Sequence, residues 1–193
     1  MVDTPELRAR FLADIQCNPK VRAILARWQR LDLPDGWLVA GCLFQTVWNL
    51  HEGKDPAAAI KDYDLFYFDA HDLSEEGERA VQVRVERELA DLGVSLEAKN
   101  QARVHLWYQD WFGHPYPRLH AACDGIARFL VTGTCVGVRP SDGDLELYAP
   151  YGLGMMYEGV LSPNSLTDHR ALFEQKARSY RERWPWLRVR VAP

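Results

Sequence analysis

The run Ile60-Lys-Asp-Tyr-Asp-Leu-Phe-Tyr-Phe-Asp69 sets Asp62 and Asp64 one residue apart inside an otherwise aromatic and aliphatic segment. Read as a strand, it sends side chains at i and i+2 to the same face, so the two carboxylates project side by side. Like charges held that close in a buried sheet are unfavourable unless a divalent cation, a shared proton or a basic partner neutralises them. On a solvated strand end the same tripeptide would need no such remedy, so its meaning depends on its surroundings.

Upstream, Pro34-Asp35-Gly36 is a turn signal, and Trp37-Leu-Val-Ala-Gly41 is a short apolar run ending in glycine, read as a buried strand. Cys42 to Leu50 follows as a helix with Phe44, Val47 and Trp48 inward. Nearer the N-terminus, Thr4-Pro5 opens one helix and Asn18-Pro19 opens a second, each a capping residue followed by a proline at the first helical position. Downstream, Ser74 to Leu92 is a helix capped by Ser74 and ended by Gly93. Strands are expected over Val94–Lys99 and Arg103–Tyr108. Beyond them come a polar aromatic loop, a helix near Leu119–Phe129, a strand near Leu145–Tyr148 and a last helix near Leu166–Arg183. The order implies an α/β (α+β) protein with a mixed sheet flanked by helices. It reads as one domain over residues 1–193: a helical pair (1–33), a core (34–110) and a C-terminal extension packed on it (111–193).

The two strands after the long helix carry a second group of charges. Ser95, Glu97 and Lys99 alternate with Val94, Leu96 and Ala98, and Arg103, His105 and Trp107 alternate with Val104, Leu106 and Tyr108. Matching apolar face to apolar face would gather Glu97, Lys99, Arg103 and His105 on one side, through a three-residue turn or a bulge. A carboxylate with three basic groups could then meet the aspartate pair and an anionic substrate together. Glu97 and Lys99 also admit a plainer reading as a surface ion pair.

Composition narrows the classes. The chain has a net charge of −4, which argues against a duplex DNA partner although a local basic groove remains compatible. Its four cysteines are scattered, with no close pair of the kind that binds zinc or cycles a disulfide. No apolar stretch approaches the roughly 20 residues of a membrane span, and the N-terminal residues lack a signal-type apolar segment. A cytoplasmic protein with reduced thiols, and no membrane partner, is the expectation. Trp107, Tyr108, Trp111 and Phe112 read as core or the edge of a lid rather than as a base-stacking platform.

Helix, strand ending in glycine, helix, strand with Asp-X-Asp, helix, and strand with a third acid together resemble the polymerase-β-like nucleotidyltransferase superfamily. More narrowly, the chain resembles a bacterial nucleotidyltransferase-like family. The likeness is carried by Ala40-Gly-Cys-Leu-Phe-Gln-Thr-Val-Trp-Asn49, Ile60-Lys-Asp-Tyr-Asp64, Glu97-Ala-Lys-Asn-Gln-Ala-Arg-Val-His-Leu-Trp107, Thr134-Cys-Val-Gly-Val-Arg139, Tyr148-Ala-Pro-Tyr-Gly-Leu153 and Ser162-Pro-Asn164. It implies that Asp62, Asp64 and Glu97 are the catalytic acids and hold Mg²⁺, with Mn²⁺ as an alternative. It further implies a nucleoside triphosphate donor contacted by Gly41, Cys42, Thr46, Lys99, Arg103 and His105. A nucleoside monophosphate would pass to a hydroxyl on a small molecule, a protein or an RNA, with release of pyrophosphate.

Two departures from the pattern stand out. Cys42 occupies the position after the motif glycine, where the superfamily usually has serine or glycine, and Gly154 follows Gly152-Leu153 where the narrower family has an acid. They motivate a second reading, a nucleotide- or metal-binding module of the same fold without turnover. A third is a hydrolase with Asp64 and Glu97 as its acid/base pair.

Overall fold

The N-terminal caps form as their residue types dictate. Thr4 accepts from the Leu7 amide and Asn18 from the Lys20 and Val21 amides, opening α1 (Pro5–Gln16) and α2 (Pro19–Ala26). A computed structural model of the chain describes residues 2–167 and 169–190. A third short helix, α3 (Trp28–Leu31), ends at Asp32 in the left-handed region and leads through the Pro34–Gly36 turn into β1 (Trp37–Val39). Then come α4 (Gly41–His51), β2 (Asp62–Tyr67), α5 (Glu75–Glu88, capped by Ser74), a 3-10 turn over Ala90–Leu92, and β3 (Ser95–Asn100). The remainder comprises α6 (Val104–Phe112), α7 (Ala122–Ile126), β4 (Gly137–Ser141), β5 (Asp144–Tyr148), α8 (Gly154–Tyr157), β6 (Val160–Leu161), α9 (Arg170–Arg183) and β7 (Arg188–Val189).

Five strands form a mixed sheet in the order β3-β2-β1-β4-β5, with only the β2–β3 pair parallel, while β6 and β7 pair separately. Two of the five strands come from the segment after residue 110, so the C-terminal part completes the sheet as well as covering it. On β2, Tyr63, Leu65 and Tyr67 are buried in the larger core, built with α1, α2, α4, α5 and α9. Asp62, Asp64 and Phe66 alternate with them and face the other side, where Trp37, Val39, Ala122 and Ile126 form a smaller cluster under α7.

Helix α4 is buried along nearly its whole length, from Gly41 to Asn49. Its Phe44 and Trp48 pack edge-on against Tyr180, and Trp48 packs likewise against Trp184, which donates to Asn49 Oδ1 at 2.9 Å. These contacts seat α9 along α4.

Two expectations need correction. Residues 103–108 are not a strand, and no hairpin follows β3, which lies at the sheet edge with β2 as its neighbour. The segment is helical because Val104, Trp107, Tyr108 and Phe112 recur at i, i+3, i+4 and i+8, one helix face, and all four line a single cavity. Period-2 alternation over six residues was outweighed by that longer stripe. Strand β4 forms although it contains Pro140, a residue disfavoured in strands. Its hairpin to β5 is nevertheless marked by Asp142-Gly143, both at positive φ (47° and 87°), the geometry of a two-residue primed turn. The last helix starts at Arg170 rather than near Leu166, and Asp168 in that span lies outside the described residues.

Candidate active site

Strand β2 meets β3 with Asp62 opposite Ser95, Asp64 opposite Glu97 and Phe66 opposite Lys99. In a parallel pair, register partners point to the same face, so Asp62, Asp64, Glu97 and Lys99 share one surface. That surface floors a cavity of about 550 Å³, whose walls come from the β1–α4 turn, α6, α7 and α9.

The electrostatics of the floor are strained. Burial, then the charges of Asp62 and Glu97, push the Asp64 carboxyl up to about 7, against a smaller opposing effect of Lys176. Glu97 is half exposed and pairs with Lys99 at 3.3 Å. Lys61, Lys99, Arg128, Lys176 and Arg183 also line the cavity, so cations outnumber the three acids around it. An anionic ligand suits that balance better than a neutral one.

The β1–α4 turn is tightly specified. Ala40 adopts φ 61°, ψ −135°, a conformation that residues with a Cβ rarely adopt, and so stores local strain where the turn enters the cavity. At Gly41 a Cβ would come 2.6 Å from Gln45 Nε2, and Gln45 Oε1 in turn accepts from Arg183 Nη1 at 3.1 Å. Glycine therefore lets the Gln45 side chain fold across the helix start and tie it to α9.

Of the residues expected at the site, Asp62, Asp64, Glu97, Lys99 and Gly41 line the cavity. Cys42 and Thr46 do not. Cys42 is fully buried, donates to Val39 O at 3.3 Å, and has its thiol pushed well up by burial and by Asp64 and Asp62, so it stays protonated. Thr46 donates to Cys42 O at 2.7 Å and accepts from Asn18 Nδ2 at 3.0 Å. Arg103 is buried in an ion pair with Glu78 and also donates to Leu73 O at 2.8 Å. His105 lies on α6 outside the cavity lining, its Nδ1 buried without a hydrogen-bond partner. The helical course of residues 104–112 separates both from Glu97 and Lys99.

Lys176 and Arg183 were missed by sequence reading. Their signal was available, since Leu172, Lys176, Tyr180 and Arg183 recur at i, i+4, i+8 and i+11 and form the face of α9 turned to the cavity. Only the tertiary contact of α9 with α4 shows that this face meets Asp62 and Asp64.

A family model for nucleotidyltransferases matches residues 26–189. The chain belongs to the nucleotidyltransferase family. A solved NMR structure, described as revealing a CCA-adding enzyme head domain, is 25% identical to this family member with a TM-score of 0.76, covering 94% of this chain and 95% of that one. Against the curated proteins, nothing matches. The mixed sheet flanked by helices is thus a polymerase-β-like nucleotidyltransferase fold. Among the described residues no helix is long and apolar enough to cross a membrane.

The donor set fits a hard divalent cation. Asp62 and Asp64 offer carboxylate oxygens from alternate positions of one strand face, and the raised Asp64 proton affinity is a cost that a bound cation would relieve. Among the described residues no three His, Cys, Asp or Glu side chains come together in a group that could hold a metal ion, so Asp62, Asp64 and Glu97 do not form a three-carboxylate site. Mg²⁺ commonly takes one or two carboxylates and completes its shell with water and substrate phosphates, a demand that two aspartates would match.

Proposed function

We propose that this protein is a Mg²⁺-dependent nucleotidyltransferase that moves a nucleoside monophosphate from a nucleoside triphosphate to a hydroxyl acceptor, releasing pyrophosphate. The observation that carries the reading is the shared face of Asp62, Asp64 and Glu97, set by the β2–β3 register at the floor of a cation-rimmed cavity. Asp62 and Asp64 would hold the ion. When bound, Mg²⁺ would supply Lewis-acid stabilisation of the phosphoryl and leaving oxygens.

The chain's own groups divide the remaining work. Lys176 and Arg183 reach the cavity from α9 and offer donors to a polyphosphate. The Ala40-Gly41 turn brings backbone close to the same space, where the first amides of the eleven-residue α4 favour an anion. Glu97, half exposed and held by Lys99, is the carboxylate positioned to accept a proton from an incoming hydroxyl.

The test is pyrophosphate release from the four nucleoside triphosphates with Mg²⁺ and a panel of hydroxyl acceptors: small polyols and sugars, hydroxyl-bearing proteins and RNA 3′ ends. Asp62→Ala and Asp64→Ala should each reduce it about a hundred- to ten-thousand-fold while the circular dichroism spectrum is retained. Undiminished release in both folded variants would overturn the reading. The pairing of Glu97 with Lys99 instead of with the aspartates favours a second reading, a nucleotide-binding module without turnover. Nucleotide binding with no pyrophosphate release from the wild-type protein would select it.

A further inference from the structure

The carboxylates occupy one end of the cavity, and the other end is built differently. The face of β2 that carries Asp62 and Asp64 continues to Phe66. The matching face of β3 runs Glu97, Lys99 and then Gln101, whose amide still donates to Tyr67 O at 2.7 Å. Two strand residues advance roughly 6–7 Å, so an aromatic ring and a carboxamide stand one step beyond the acids and Lys99, the span of a ribose. Phe129 meets Phe66 edge-on with centroids 5.6 Å apart, and Trp107 and Tyr108 of α6 continue the wall.

Gln101 is only 2% exposed. Its Nε2 makes a long bond of 3.4 Å to Lys99 O, and because that carbonyl can only accept, the contact identifies the nitrogen end of the amide. Oε1 accepts no hydrogen bond among the described residues. It lies against Gly125 of α7, where a Cβ would stand 2.0 Å away, so the missing side chain makes room for that oxygen. The oxygen is not sealed off but open to the cavity, so a ligand N–H can reach an acceptor that no donor among the described residues occupies.

We propose that this end of the cavity is a nucleobase pocket in which Gln101 selects the base. The proposal rests on reading the cavity as a nucleotide site. The aromatic wall takes the planar ring, whichever base it is. Gln101 Oε1 accepts from the exocyclic amine at C6 of adenine or C4 of cytosine, where guanine and uracil carry a keto oxygen that sets lone pair against lone pair. Adenine and cytosine are therefore favoured over guanine and uracil.

Equilibrium binding of ATP, CTP, GTP and UTP with Mg²⁺, read by calorimetry, tests the selection, with pyrophosphate release measured in parallel. The wild-type protein should bind ATP and CTP about tenfold more tightly than GTP and UTP. Gln101→Met should bring the ratio close to one, by weakening ATP and CTP and by relieving the repulsion against GTP and UTP. Gly125→Ala, which displaces the Gln101 oxygen but keeps the residue, should do the same and serves if the methionine variant fails to fold. Equal wild-type binding of all four nucleotides, or a preference that survives in a folded variant, overturns the inference. Base-selective binding without pyrophosphate release in the presence of the acceptor panel leaves the inference standing and removes the transferase reading. Absence of any nucleotide binding removes both.

Discussion

Asp64 and Glu97 are register partners across the parallel β2–β3 ladder, and the Asp64 carboxyl between Asp62 and Glu97 is pushed up to about 7. The fold therefore holds at neutral pH a charge that it disfavours. Under the proposed function, a bound cation would offset that cost.

The pH dependence of stability follows from this carboxyl. Its folded-state value lies above the ordinary value of 3.8, so the unfolded chain gives up the proton more readily. Stability from this group is thus full below pH 4 and is lost as pH rises towards and through 7. Asp64→Asn should melt higher than wild type at pH 8, by about 1–3 kcal/mol, and equally near pH 4. Thermal melts across that range check it. Mg²⁺ should raise the wild-type melting temperature at pH 8 and leave that of Asp64→Asn nearly unmoved.

Lys176 faces the acids from α9, and its charge partly offsets the upward push on Asp64. Lys176→Met should raise KM for the nucleoside triphosphate about tenfold and flatten the dependence of KM on salt. Arg183→Met should add a stability loss of about 1 kcal/mol, because it also removes the bond to Gln45 and the cation over the Trp184 ring at 4.5 Å. Steady-state kinetics at two ionic strengths, with a denaturant melt, separate the two.

Cys42→Ser tests whether the thiol after Gly41 governs triphosphate affinity. Because Cys42 is buried outside the cavity and bonded to Val39 O, the hydroxyl should take over that bond at a stability change of about 1 kcal/mol or less. KM should not change. A fall of tenfold would show that position 42 reaches the nucleotide.

Arg103 should behave as a structural residue. Its guanidinium, 7% exposed, pairs with Glu78, whose other oxygen accepts from the Asn100 amide at 2.8 Å. Arg103→Met should destabilise the protein by about 3 kcal/mol through the charge left on Glu78. Near-wild-type KM in the fraction that folds, measured below the melting temperature, would confirm that it makes no substrate contact.

Much of this was legible in the chain. The caps at Thr4, Asn18 and Ser74 marked helix starts because their side chains bond amides only a few residues away. The spacing of Asp62 and Asp64 marked a shared face because strand alternation is a local property. Glu97 was placed with them by its own alternation and by family likeness, and the parallel register agrees. Residues 103–108 misled because six residues fit both periods, and the choice fell to which partner the aromatic stripe could cover.

What the sequence determined alone was therefore local: which stretches are helix or strand, and which side chains share a face within one element. What only the tertiary structure decided was convergence. Lys176 and Arg183 reach Asp62 and Asp64 because Trp48, Tyr180 and Trp184 pack α9 onto α4, and Gln101 opens towards the cavity because Gly125 approaches from α7. Neither pairing has a periodic signal, since each depends on close packing between elements far apart in the chain.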